Sequence, residues 1–303
     1  MTPLQVGAQT FSWGSRTYVM GILNVTPDSF SGDGLIPPSP AAGEGMGVRA
    51  ALEQARRFIE SGADILDVGG ESTRPGAQTV TAEEELGRVI PVIEALAREF
   101  PETLISIDTY KAIVAEQAIR AGAHIINDVW GFRADPEIGS VAARYGAPAI
   151  LMHNRSKPAN ARVLENLGGR YIGMEYGDLL EEVKRELMES VEIARAAGLS
   201  DEKIIIDPGI GFGKTVEQNL ELLNRLDEVR ALGFPLLLGP SRKSFIGYTL
   251  NLPPDQRVEG TAAAVAVGIV RGADIIRVHD VEIMARVAKM TDAIVRPRLT
   301  NLE

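Results

Sequence analysis

Eight short runs of apolar and β-branched residues recur along the chain, at 19–23, 64–68, 104–108, 123–127, 148–152, 203–207, 235–239 and 273–279, each bounded by Gly, Pro, Asp or Asn. Continuous apolar runs of this length indicate strands buried on both faces, because a strand with one wet face alternates apolar with polar. Parallel neighbours cannot be joined by a tight turn and need a crossover, normally a helix. Helical periodicity fills the gaps, over Ala82–Phe100, Lys111–Ala121, Asp178–Ala197, Val216–Leu232, Gly260–Arg271 and Val281–Val295. Several of these segments open on a Thr, Asp or Ser cap. Ser61-Gly62-Ala63-Asp64, Ala121-Gly122-Ala123-His124 and Arg271-Gly272-Ala273-Asp274 each close a helix on a glycine that is free to turn left-handed before the next strand. Eight such alternations favour a closed (β/α)8 TIM barrel, one domain over residues 1–303, above an open doubly wound sheet.

Composition narrows the function classes. With 45% hydrophobic residues a chain of this size can bury a large core without staples. The absence of cysteine excludes disulfides and thiolate metal sites, and three histidines with no helical pair do not suit zinc. A net charge of −10 argues against a nucleic-acid scaffold, so any anionic ligand must be met locally. Met1–Ser15 lacks the features of a secretory leader, and nowhere do 18 uncharged apolar residues run together. The expectation is a soluble cytoplasmic protein.

Two stretches interrupt the alternation. Gly32–Gly47 is rich in Pro and Gly and reads as a mobile loop after the first strand, whereas Asn154–Glu175, after the fifth, is polar and weakly patterned. Both are βα connections, at the end of a barrel where active sites are built. Functional loop and plain surface insertion both remain open for each.

The polar residues closing the strands carry the chemical signal. Asn24, Asp67, Asp108, Asn127, His153, Asp207, Lys243, Arg277 and His279 all fall at or just beyond expected C-terminal strand ends, where one mouth would gather them. Helix capping is the alternative for the carboxylates, Asp67 above all, but Lys, Arg and His do not cap an N-terminus. Arg277 and His279, two apart, face the same way, and a cation beside an imidazole suits a diphosphate. The Asn24 amide oxygen suits Mg2+ held mainly by phosphate oxygens. Asp207-Pro208-Gly209-Ile210-Gly211-Phe212-Gly213-Lys214 has the wrong spacing for a dinucleotide fingerprint. Its glycines allow a sharp turn beside a flat ligand, with Phe212 as a wall and Asp207 accepting two N–H bonds from an amidine-like edge such as that of a 2-amino-4-oxopteridine. A purely structural strand-to-helix turn is the other reading.

Taken in order, Asn24-Val25-Thr26-Pro27-Asp28-Ser29-Phe30, Gly69-Gly70-Glu71-Ser72-Thr73-Arg74-Pro75-Gly76, Ser106-Ile107-Asp108-Thr109, Ile126-Asn127-Asp128, Leu151-Met152-His153-Asn154, Asp207-Pro208-Gly209-Ile210-Gly211-Phe212, Ser241-Arg242-Lys243-Ser244-Phe245-Ile246-Gly247 and Arg277-Val278-His279-Asp280 closely resemble the motif set of the dihydropteroate synthases. The resemblance implies a transferase of folate synthesis, a class targeted by sulfonamides, that joins a pterin diphosphate to p-aminobenzoate with Mg2+. It implies that Asp108, Asn127, Asp207 and Lys243 hold the pterin between Met152 and Phe212, and that Asn24, Arg277 and His279 hold diphosphate and metal. It further implies that Thr73, Arg74 and Pro75, with Ser244, frame the p-aminobenzoate site, that Phe30 sits on a closing loop, and that two copies form a homodimer through helices away from the mouth.

Three departures from the family pattern stand out. Ser31-Gly32-Asp33-Gly34 replaces the commoner Ser-Asp-Gly-Gly and is followed by an insertion, Gly239-Pro240-Ser241 replaces a commoner Gly-Thr-Ser, and the fifth loop is long, with no role assigned. Two rivals are a methyltetrahydrofolate-binding methyltransferase domain, which has no use for a diphosphate grip, and a silent paralogue, which would have lost loop residues. The intact Glu71–Gly76 and Ser241–Lys243 segments weigh against both.

Overall fold

The computed structural model describes residues 1–26, 44–72, 79–164, 167–172 and 175–296. The chain opens with an antiparallel hairpin, β1 (Leu4–Val6) and β2 (Gln9–Phe11). Next come β3 (Tyr18–Asn24), α1 (Glu44–Glu60), β4 (Ile65–Gly69), α2 (Ala82–Glu99), β5 (Leu104–Asp108), α3 (Ala112–Ala121), β6 (Ile125–Asp128), α4 (Ile138–Tyr145) and β7 (Ala149–Met152). A second hairpin, β8 (Ala161–Leu164) and β9 (Gly168–Tyr171), precedes α5 (Leu179–Ala196) and β10 (Ile204–Asp207). The chain then runs through α6 (Val216–Asn224), α7 (Leu226–Arg230), β11 (Leu237–Leu238), α8 (Ser244–Leu250), α9 (Val258–Val270), β12 (Ile275–Val278) and α10 (Val281–Val295).

Eight strands, β3 to β7 and β10 to β12, pair in parallel in chain order. A parallel bridge between Ile206 and Leu236 joins β10 to β11 and closes the ring. The expected (β/α)8 barrel is the fold observed. Its strands lie within two residues of the apolar runs, except that 235–239 keeps only two residues as strand.

Side chains alternate across a strand, so every second residue enters the barrel and the others meet the helices. Val19, Leu23, Leu66, Val68, Ile105, Ile107, Ile126, Leu151, Ile204, Ile206, Leu236, Leu238, Ile276 and Val278 form one buried layer with the helices. The other parity starts apolar: Met20, Ile65, Leu104, Ile125, Ile150, Ile205, Leu237 and Ile275 fill the lower barrel, where Leu4, Val6 and Phe11 of the first hairpin cap them. One step further along the same faces the residues become Asp67, Ser106, Asn127, Met152, Asp207 and Arg277. Sequence parity alone therefore floors most of the mouth with polar groups, Ile22, Met152 and Gly239 apart, over an apolar plug.

Local signals behave as expected at most helix ends. Thr81 with Glu84, and Thr215 with Gln218, form capping boxes that satisfy helix N-terminal N–H groups. Gly62, Gly122 and Gly272 all turn left-handed, at φ +97°, +116° and +101°. The segment 216–232 is not one helix: it breaks at Arg225 (φ −110°, ψ 28°), and the turn brings Leu226 and Val229 into the core. The end of the Pro/Gly-rich stretch, from Glu44, belongs to α1, and its earlier part lies outside the described residues. The weakly patterned fifth connection contains β8 and β9, docked near α8 by Tyr248 Oη donating to Gly168 O (3.2 Å) and Arg257 Nη2 donating to Leu167 O (2.9 Å).

The left-handed glycines give a stability test. A Cβ on Gly122 would meet Ala97 Cβ at 2.6 Å, whereas one on Gly233, also left-handed at φ +92°, meets nothing within 4 Å. Gly233→Ala is expected to cost about 1 kcal/mol of unfolding free energy from backbone strain alone, and Gly122→Ala about 1–3 kcal/mol more from the added overlap. Denaturant titration of both variants checks the order.

Candidate active site

The polar upper layer is organised around Arg277. Its Nε donates to Asp67 Oδ2 (2.5 Å) and its Nη2 to Asp108 Oδ2 (2.6 Å), so β12 reaches across the barrel mouth to β4 and β5. Asn127 Nδ2 on β6 donates to the same Asp67 oxygen (3.1 Å). Asp67 thus points into the barrel from mid-strand and caps no helix, which removes the capping alternative. Burial opposes the Arg277 charge, but Asp67 and Asp108 together more than restore it and hold the group above its ordinary range. Burial pushes the Asp108 carboxyl up to about 7 against the pull of Arg277, with Asp67 adding repulsion. Asp67 Oδ1 and Ser106 Oγ, on register-paired residues, are buried and find no hydrogen-bond partner among the described residues.

The opposite wall is built by the connections after β10 and β11. Asp207 ends β10 and accepts the Gly209 N–H at Oδ1 (2.7 Å); burial raises its carboxyl, opposed first by Lys243. Lys243, at the start of α8, donates to the Ile210 carbonyl and sets its ammonium 4.5 Å from the centre of the Phe212 ring. Burial brings this amine down to about 8, Asp207 working against the shift and Arg277 with it. The close approach explains Gly211, since a Cβ there would lie 2.7 Å from Lys243 Cδ. Arg242 holds Asp280 in a two-pronged ion pair (2.9 and 2.6 Å), and the Ser241 hydroxyl accepts the His279 N–H (3.1 Å) and contacts its Nδ1 (2.9 Å).

Asn24 ends β3 beside β4. A Cβ on Gly69 would stand 3.8 Å from Asn24 Oδ1 and 3.7 Å from Asp108 Oδ2, so that glycine leaves a space between an amide oxygen and a carboxylate. Among the described residues no three His, Asp or Glu side chains converge as a metal cage. The Asn24 amide oxygen and the Asp108 carboxylate on either side of that space are hard oxygen donors, the kind a Mg2+ ion accepts.

The structure brings together Asp108, Asn127, Asp207, Lys243, Arg277, Met152 and Phe212 at one mouth, with Asn24 and His279 at or just past the ends of β3 and β12 and Ser244 opening α8. Thr73, Arg74, Pro75 and Phe30 lie outside the described residues. His153 departs from the expectation: its side chain is fully buried away from the mouth, with Nε2 3.1 Å from Glu186 Oε2 on α5. The reason is that it stands one residue past Met152, on the outward parity. Reasoning from strand ends gave Asp67 no assigned role, and Lys214 and Ser241 none at all. Parity along β4 was the signal for Asp67; nothing local marks the other two.

Residues 20–279 match the family described as pterin binding enzyme. The dihydropteroate synthase of Clostridium beijerinckii is 50% identical over 294 residues, covering 97% of this chain and 100% of that protein. A solved dihydropteroate synthase from Clostridium difficile, described in the presence of pteroic acid, matches with a TM-score of 0.83 at 47% identity, over 94% of this chain and 99% of that one. A solved Xanthomonas albilineans dihydropteroate synthase with 4-aminobenzoic acid matches with a TM-score of 0.83 at 40% identity, over 96% of this chain and 97% of that one. Similarity on this scale runs through every barrel strand that supplies the mouth, and the chain belongs to the dihydropteroate synthase family of pterin-binding enzymes.

Proposed function

We propose that the chain is the dihydropteroate synthase its family implies, joining 6-hydroxymethyl-7,8-dihydropterin diphosphate to p-aminobenzoate to give 7,8-dihydropteroate and diphosphate. The observation that carries this reading is the single polar layer in which Asp108, Asn127, Asp207, Lys243 and Arg277 meet above a sealed apolar barrel. In the reaction the methylene–oxygen bond to diphosphate breaks, the aromatic amine nitrogen bonds to that carbon, and the amine loses a proton. No strong base is needed; a place for the departing anion is.

In this reading Asp207 accepts the amidine-like edge of the pterin, Asn127 and Lys243 take its polar rim, Asp108 faces its far side, and Met152 and Phe212 pack its flat faces. Arg277 spends two N–H groups on Asp67 and Asp108, and its remaining donors are the ones a phosphate takes. His279, tied to Ser241, and Asn24 complete the anion half. Mg2+, bound at Asn24 through the diphosphate, would supply positive charge to the leaving group. Thr73, Arg74 and Pro75 with Ser244 frame the p-aminobenzoate. The proposed setting is the cytoplasm; no helix among the described residues is long and apolar enough to cross a membrane.

The proposed assembly is a homodimer through α9 and α10. These helices pack together, yet Val267, Val270, Ile283, Met290 and Ile294 stand 42, 59, 43, 63 and 66% exposed, a concentration of apolar surface on two neighbouring outer helices. A second copy is the occupant that matches a self-complementary apolar face.

Three measurements follow. Mixing the protein with the pterin diphosphate, p-aminobenzoate and Mg2+ should release dihydropteroate and diphosphate in equal amounts, with Mg2+ required and sulfonamide competing against p-aminobenzoate alone. A folded protein that condenses nothing would remove the reading. Asp207→Asn must keep its oxygen toward the Gly209 N–H, so its amide N–H groups oppose those of the pterin. Calorimetry should show pterin binding weakened by about 2–4 kcal/mol, roughly 30- to 1,000-fold. The double variant Met290→Glu/Ile294→Glu should sediment as a monomer and still bind the pterin.

A further inference from the structure

Lys214 is 2% exposed, and its ammonium makes no ion pair among the described residues. Instead three neutral acceptors surround it: His153 Nδ1 at 2.9 Å, Gly209 O at 2.9 Å and Phe212 O at 3.0 Å. An ammonium has three N–H donors, so all three are used. For His153 Nδ1 to accept, the ring must be neutral with its proton on Nε2, and that N–H then donates to Glu186 Oε2. Burial and the neighbouring Lys214 charge push His153 down to about 3, consistent with a neutral ring. Burial alone would raise Glu186, but the bonds from His153 and Arg155 hold it well below the carboxylate range. The result is an ordered relay from α5 through the end of β7 into the loop after β10.

That loop is pressed against the fifth connection with no room to spare. A Cβ on Gly209 would fall 1.8 Å from His153 O, and one on Gly213 would fall 2.5 Å from the Arg155 carbonyl carbon. Both glycines are left-handed, at φ +69° and +59°. Two of them thus serve loop-to-loop packing and Gly211 clears Lys243, which accounts for all three without a flat ligand. Lys214 pins the two carbonyls that set the Asp207–Phe212 turn, so it fixes where the Phe212 ring and the Asp207 carboxylate stand. Burial pushes the Lys214 amine down to about 7, and Asp207 is the nearby anion that opposes the loss of its charge.

We infer that Lys214 is a positioning residue for the pterin half of the site: a buried ammonium that, through His153 and two loop carbonyls, aims Asp207 and Phe212 without touching the substrate. The inference rests on the pterin-binding reading above. It predicts a change in pterin affinity separated from the chemical step, because the anion half on Arg277 and His279 is untouched.

The absence of cysteine allows a clean test. Lys214→Cys carries the only thiol, which can be aminoethylated in the unfolded state to restore an ammonium at nearly the same reach, or carbamidomethylated to give similar bulk without charge. Wild type taken through the same unfolding and refolding is the control. The carbamidomethyl form should show KM for the pterin diphosphate and Kd for the pterin both raised about 10- to 100-fold, as expected for loss of charged hydrogen bonds at one remove from the ligand, with kcat within about threefold. The aminoethyl form should recover pterin affinity to within about threefold of the control. Recovery by both forms, or by neither while the control binds, would overturn the inference. A 15N NMR readout of His153 separates this from failure of the functional reading: loss of the Lys214 donor should shift Nδ1 whether or not the control binds a pterin, and an unmoved Nδ1 would also overturn it.

Discussion

The guanidinium of Arg277, shared between Asp67 and Asp108, is the interaction on which the mouth depends. It passes over β3 to tie β12 to β4 and β5, and through Asp67 it also engages Asn127 on β6. Two carboxylates on the interior face of neighbouring strands would repel each other and remain poorly solvated without it. Breaking a buried pair of this kind by removing one partner typically costs about 3–5 kcal/mol. The same arrangement sets two carboxylates against one guanidinium, and burial together with the Asp67 charge keeps the Asp108 carboxyl up at about 7. A layer held this way is already oriented before any ligand enters.

The supporting shell is as specific as the layer itself. Lys111 holds Glu71 (2.5 Å) and Glu85 (2.5 Å), and Tyr110 donates to Glu71 (3.2 Å), so the base of the second connection is fastened to α2 and to the segment after β5. Arg257 is buried and spends donors on Arg242 O (3.0 Å) and Leu167 O (2.9 Å), linking the Ser241–Lys243 turn to the second hairpin. Arg242 itself is left-handed at φ +53°, a conformation that an Arg adopts only when its surroundings impose it. Loops that carry function are here held at their roots by charged side chains with several donors, the residue types best suited to fastening irregular backbone.

Much of this was legible in the sequence because barrel strands obey two rules at once, unbroken apolar character and a period of two. The apolar runs located the strands, and the strand-end positions of Asp108, Asn127, Asp207 and Arg277 gathered them at one mouth. His153 was misplaced because a strand-end position was considered without its parity. The hairpin β8–β9 escaped notice because its four-residue strands carry too little apolar alternation, and its docking partners, Tyr248 and Arg257, lie some 80 to 90 residues away in the chain. Lys214 was invisible for a related reason: a lysine at a loop end is ordinarily a solvated charge, and only tertiary packing buries it.

The first hairpin has a consequence of its own. Leu4, Val6 and Phe11, stacked beneath Met20, Ile65 and Leu237, stopper the barrel from below, and Phe11 is braced by Trp13 and Tyr18 at ring separations of 5.2 and 4.6 Å. The barrel is therefore a well with one opening and not a tunnel. In a well, depth becomes sequence in time: whatever lies lowest must enter before the molecule above it and depart after. The floor laid by a dozen N-terminal residues thereby sets the order of traffic through a mouth at the opposite end of the molecule.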